Sequence, residues 1–139
     1  MDDQSVESLS ALCSVEHFGL GRYGDPIDPD GWRKALKSFQ RVLKPGGKLY
    51  LSVPVGKENR VCFNAHRIFH PSTIIETLDQ MQIKEMSYIS GLSETTFCIV
   101  EKLDAKTNKM YVDYDNEKLN NIKSNKLDPF TGLFELVKR

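Results

Sequence analysis

Glu16 and His17 are neighbours whose side chains could move a proton. They stand just past Val6–Cys13, a segment that reads as a strand, and ligands of open α/β sheets bind beyond the carboxyl ends of strands. A histidine there, flanked by a carboxylate, titrates near neutrality and suits the work of a general base. The competing reading is a polar pair that hydrogen-bonds the next loop in place; the residues alone leave both open. A second set, Asn64-Ala65-His66-Arg67, lies in the loop after the next predicted strand, on the same edge of the sheet. Arg67 could grip an anionic group with its guanidinium fork. Alternatively, His66 and Arg67 brace the carboxylates of the first loop. Two polar loops meeting at one sheet edge is the arrangement a binding site needs.

Other patterns carry less chemistry. Gly19, Gly21 and Gly24 match GxGxxG after a predicted strand. A dinucleotide loop needs its third glycine to open a helix facing the phosphates, but here Asp25-Pro26-Ile27-Asp28-Pro29 intervenes with repelling carboxylates. Glycines that supply positive φ to a tight irregular loop are the better account. Asp25, Asp28 and Asp30 do not follow calcium-loop spacing, which Pro26 and Lys37 break. No metal site is expected. There is no GxSxG elbow around Ser52 and no GxxxxGK[ST] loop.

The elements that position these residues are legible by pattern. Val6–Cys13 predicts a strand covered on both faces. The sixteen residues from Glu16 to Gly31 hold four glycines and two prolines and predict a long loop. A helix follows, with Asp28 as expected cap, Pro29 at the first position and Asp30 at the positive end of the dipole. Trp32, Ala35, Leu36, Phe39, Val42 and Leu43 form its apolar stripe. Pro45-Gly46-Gly47 ends it. Lys48–Pro54 predicts a parallel strand, completing a βαβ unit. A second helix is expected over Ser72–Met81, with Thr73 and Glu76 at capping-box spacing. Strands are expected at Ile83–Ile89, Thr96–Leu103 and Leu133–Val137. Residues 104–128 read as a polar, Asn/Lys-rich surface insertion, partly disordered, with a weak strand signal at MYVDY.

Composition narrows the classes. A chain of 139 residues with 40% hydrophobic and 27% charged side chains predicts one globular domain over residues 1–139. Nineteen basic residues balance nineteen acidic ones, so no field draws the chain to nucleic acid. No apolar run reaches the ~20 residues of a membrane span. The acidic, polar start is unlike a signal or transit peptide. Cys13, Cys62 and Cys98 are odd in number and far apart, which suits buried thiols in a reducing, cytoplasmic setting.

Arg41–Pro54, RVLKPGGKLYLSVP, resembles the helix, Gly-Gly and fifth-strand segment of class I S-adenosylmethionine-dependent methyltransferases. The stretch from Ser5 through GRYGDPIDPDG to NAHRIFHP is similar to a narrower, methyltransferase-like group, a domain of unknown function. The likeness runs to about Ile89, and TGLFELVK resembles the last strand.

The resemblance implies an α/β fold, a doubly wound Rossmann-like sheet of order 3-2-1-4-5-7-6 with its final strand antiparallel. Val6–Cys13 would be strand four, Lys48–Val53 strand five, and Ile83–Ile89 with Leu133–Val137 the last two. This chain would then be the C-terminal half of that fold, truncated before strand four. The cofactor implied is S-adenosylmethionine, but its glycine loop and ribose-binding acid have no counterpart here, so no residue matches the adenosine side. His17 and Glu16 match the methyl-transfer side; Arg22, Tyr23, Asn64, His66 and Arg67 would hold a small-molecule or sugar-like acceptor. Strand four would become an open edge, inviting a second copy or a separate N-terminal half, and the isolated chain would lack transferase activity. A different class fits the same residues: a non-catalytic α/β module that docks a partner through that edge.

Overall fold

The computed structural model describes residues 1–91, 94–123 and 129–139. Its main sheet has six strands: β1 (Val6–Leu12), β2 (Leu43–Val55), β5 (Met81–Ile89), β6 (Thr95–Asp104), β7 (Lys109–Tyr114) and β8 (Phe130–Lys138). They lie in the order β1-β2-β8-β5-β6-β7. Two short strands, β3 (Arg60–Cys62) and β4 (His66–Ile68), make a separate hairpin. The helices are α1 (Gly31–Val42), α2 (Pro71–Thr77) and α3 (Asn116–Asn120).

β1 and β2 are parallel, and β8 inserts antiparallel between β2 and β5. β1-β2-β8-β5 is therefore the order four, five, seven, six expected of the Rossmann-like methyltransferase sheet, with the final strand reversed. β6 and β7 extend the sheet beyond β5 as an antiparallel pair. MYVDY, the weak strand signal, lies within β7. Of the polar stretch 104–128, α3 carries Leu119 into the core and Ile122 follows it, fully buried. Residues 124–128 lie outside the described residues.

Alternation along β2 sets the core. Leu49, Leu51, Val53 and Val55 are buried on one face, in one apolar cluster with Leu36 of α1, Ile74 of α2 and Leu136 of β8. Each such side chain removed from water contributes about 1.5–3 kcal/mol. Register places Leu9 and Ala11 of β1 beside Leu49 and Leu51 on that face. Ser10 and Leu12 stand beside Tyr50 and Ser52 on the other, where Leu12 is 65% and Tyr50 38% exposed.

Several local expectations are corrected. β1 is not covered on both faces: most of its residues are exposed, and among the described residues it pairs with β2 alone. Asp28 is not the helix cap. It closes the turn before the helix, its carboxylate accepting the Asp30 N–H at 3.0 Å and the Lys34 ammonium at 2.7 Å. Asp30 takes the cap position without a side-chain bond. β2 begins at Leu43, since Val6 pairs with Leu43 and Ser8 with Lys48 around a bulge at Pro45-Gly46. α2 starts at Pro71, and His70 Nδ1 accepts from the Ser72 N–H, while Thr73 Oγ1 turns to Asn59. The cysteines are not all buried: Cys13 is exposed and Cys62 half-buried. No helix among the described residues is long and apolar enough to cross a membrane.

Candidate functional site

The loops after β1 and β2 meet at one sheet edge, and the meeting point is a backbone carbonyl. After β1 the chain turns through Cys13 at φ 47° into a short 3-10 turn, Val15–His17. After β2 it runs into the β3–β4 hairpin, whose tip is turned by Asn64 at φ 57°. The Ala65 carbonyl at that tip receives the His17 Nδ1 at 2.6 Å and the Arg22 guanidinium at 3.0 Å. A carbonyl only accepts, so Nδ1 carries the proton and Nε2 of neutral His17 is left with its lone pair.

Nε2 faces Glu16, whose Oε1 lies 3.7 Å away. Glu16 is only 3% exposed, and its second oxygen is buried without a partner. Burial pushes this carboxyl above its ordinary range, its own backbone N–H and His17 opposing. A carboxyl held reluctant to ionise beside an imidazole with a free lone pair can share or relay a proton. Tyr23 stands edge-on to the His17 ring at 5.7 Å, with the Arg22 guanidinium 5.6 Å above its own ring. His17, Tyr23, Asp25 and Pro26 line an open hollow of about 370 Å³.

The other side chains divide by task. His66 has its Nε2 buried and unpartnered, and burial pushes its pKa down, helped by His17 and Arg22 nearby. Asn64 is exposed at the hairpin tip. Arg67 is buried and donates to the Phe18 carbonyl, with the Pro29 carbonyl 3.5 Å from its other nitrogen. It therefore ties both ends of the glycine loop through backbone oxygens; Asp25 and Asp28 act on it only through their charge. The loop itself is tight. Gly19, Gly21 and Gly24 all have positive φ, and a Cβ on Gly19 would stand 2.0 Å from the Asp28 oxygen. Asp25 folds back to accept from the Gly19 N–H at 2.8 Å.

Thus His17, Arg22, Tyr23 and His66 are brought together, Glu16 sits beneath them, and Arg67 lies to one side. The Ala65 carbonyl as hub and the burial of Glu16 had no signal in side-chain spacing. Among the described residues no group of three or more His, Cys, Asp or Glu side chains stands ready for a metal.

Residues 3–120 match the family described as Caenorhabditis protein of unknown function, DUF268. The chain belongs to this family. No curated protein matches the DUF268 chain in sequence. Among solved structures it is similar to the [4+2]-cyclase SpnF, with 14% identity and a TM-score of 0.57 over 99% of this chain and 52% of that one. It is also similar to a chain of the Haloferax volcanii complex between the Trm112 methyltransferase activator and its methyltransferase, with 16% identity and a TM-score of 0.52. That match covers 99% of this chain and 56% of the other. The DUF268 chain spans about half the length of both. At such identities the likeness shows the Rossmann-like methyltransferase fold alone, and one fold hosts many activities.

Proposed function

We propose that this DUF268 chain is the acceptor-binding, C-terminal half of a class I methyltransferase-like protein. The observation that carries the reading is the position of β1: it lies at one edge of the six-stranded sheet, where strand one and the cofactor crevice would adjoin strand four.

S-adenosylmethionine is the cofactor this reading assigns to the completed protein. The described residues do not fit it unaided. The exposed end of β1 at Leu12 and Cys13 is one wall without an opposite one, and the nearby glycine loop points Asp25 inward at its own backbone. What this chain's residues can do is prepare an acceptor hydroxyl. Its proton would pass to His17 Nε2 while Nδ1 stays bound to the Ala65 carbonyl. Glu16, when ionised, would balance the imidazolium charge across 3.7 Å. Arg22, Tyr23 and Asn64 would border a small-molecule or sugar-like acceptor, with His66 and Arg67 beneath them. Such base assistance is worth roughly 10²–10⁴-fold in rate. A reducing, cytoplasmic compartment would suit the exposed Cys13.

A second reading keeps the fold and drops the chemistry: an interaction module whose β1 edge docks another chain. The exposed backbone edge favours it as much as the first. Both readings expect the isolated chain to self-associate or to lose stability through that edge. Sedimentation velocity over a range of concentrations tests this. Concentration-dependent association or unfolding is expected; a compact, stable monomer at every concentration would overturn both. Methyl transfer by the completed protein, lost in His17→Gln, would then separate the first from the second.

A further inference from the structure

A second concavity lies beyond the Gly19 ridge, between the N-terminus of α1 and the β3–β4 hairpin. Its volume is about 510 Å³, in the range of small-molecule sites. Trp32 and Phe69 form its floor, with ring centroids 5.0 Å apart. Its walls are apolar side chains left open to water: Ile27 is 70%, Val61 57% and Phe63 78% exposed. Exposed apolar groups gathered round one hollow mark a surface that something covers.

The polar lining is one-sided. Arg33, Arg60 and Arg67 border the groove, and among the described residues no carboxylate does. Arg33 lies 5.0 Å above the Trp32 ring and is held there by Asp30 at 2.9 Å. Arg60 is anchored by Glu58. Both guanidiniums are thereby oriented with donors to spare. The neutral polar side chains at the rim, Asn59 and Thr73, are occupied with each other and with the His70 N–H, at 2.8–3.0 Å. They offer little to a ligand rich in hydroxyls. A flat apolar body carrying one anionic group meets every feature of this lining.

We propose that the groove binds a small aromatic carboxylic acid, its ring among Ile27, Val61 and Phe63 above the Trp32–Phe69 floor and its carboxylate between Arg33 and Arg60. That this molecule is the acceptor whose hydroxyl faces His17 rests on the preceding reading; that it binds does not. Gly19 borders both the groove and the His17 hollow.

Trp32 is the chain's single tryptophan, so its indole N–H gives one unambiguous NMR signal. The signal is followed while naphthalene-2-carboxylate, naphthalene-2-carboxamide or glucuronate is added, with no cofactor present. The carboxylate should shift it saturably and bind about fivefold or more tightly than the amide. Arg33→Gln and Arg60→Gln, both at the surface, should each erase most of that preference and leave amide binding unchanged. The assay holds neither cofactor nor methyl transfer, so the groove can be right even where the methyl-transfer reading fails. No shift by the carboxylate up to ~10 mM, equal binding of acid and amide, or tighter binding of glucuronate would overturn the proposal.

Discussion

The imidazole of His17 and the carbonyl of Ala65, forty-eight positions apart in sequence, stand 2.6 Å from one another and join the loops that follow β1 and β2. Because the bond uses Nδ1, the tautomer is set by the hairpin and Nε2 is turned toward Glu16. Nitrogen-15 NMR of the neutral imidazole should therefore report a proton on Nδ1 and none on Nε2. An Nε2–H tautomer would remove the free lone pair on which the base role depends.

Glu16 should cost stability when it ionises. Its folded pKa is raised by burial, so the folded state holds the proton more tightly than the unfolded chain. That contribution is fully present at low pH and is lost as pH rises through the folded value. Glu16→Gln should consequently gain on the wild type toward neutral pH, by about 1 kcal/mol or more, and show no gain near pH ~4. Urea unfolding at the two pH values checks this; an equal effect at both would contradict it.

His66 works in the opposite sense. Burial lowers its folded pKa below the ordinary 6.5, so its contribution is present above that value and is lost as pH falls through the folded one. His66→Gln should flatten the fall in stability between neutral pH and pH ~5. An unchanged slope would mean that the ring is not buried as described.

Gly19 should tolerate no side chain. At φ +72°, with the Asp28 oxygen 2.0 Å from where a Cβ would sit, Gly19→Ala must displace backbone. A loss of about 2 kcal/mol or more is expected in denaturant unfolding. A neutral outcome would show that the loop is free to open.

Much of this fold was written in periodicities long enough to read. The Trp32–Leu36–Phe39 stripe marks α1, and runs of β-forming residues mark β2, β5, β6 and β8. The convergence of the Glu16–His17 and Asn64–Arg67 loops followed from strand order alone. What could not be read depended on neighbours or on elements too short to repeat. β3 and β4 have three residues each, and α3 has five. The apolar residues of β1 look the same whether or not a strand lies beside them, so its exposure was hidden. Asp28 and Asp30 are chemically equal candidates for a cap, and loop geometry decided between them. Arg67 bonds to the carbonyls of Phe18 and Pro29, partners that no side-chain pattern announces.

Local backbone geometry also decides the glycine loop. Its three positive-φ glycines resemble a phosphate cradle in sequence, yet the Asp25 carboxylate fills the turn by accepting from Gly19 and, at 3.3 Å, from the Tyr23 N–H. A turn already stapled by an anion has no room for another.

Calorimetric titration of the isolated chain with S-adenosylhomocysteine tests the division of labour most directly. If β1 offers only one wall of the crevice, no saturable heat should appear up to ~1 mM ligand. One-to-one binding by the monomer would mean that this chain holds the cofactor unaided, and would contradict the assignment of β1 as a strand still awaiting its neighbour.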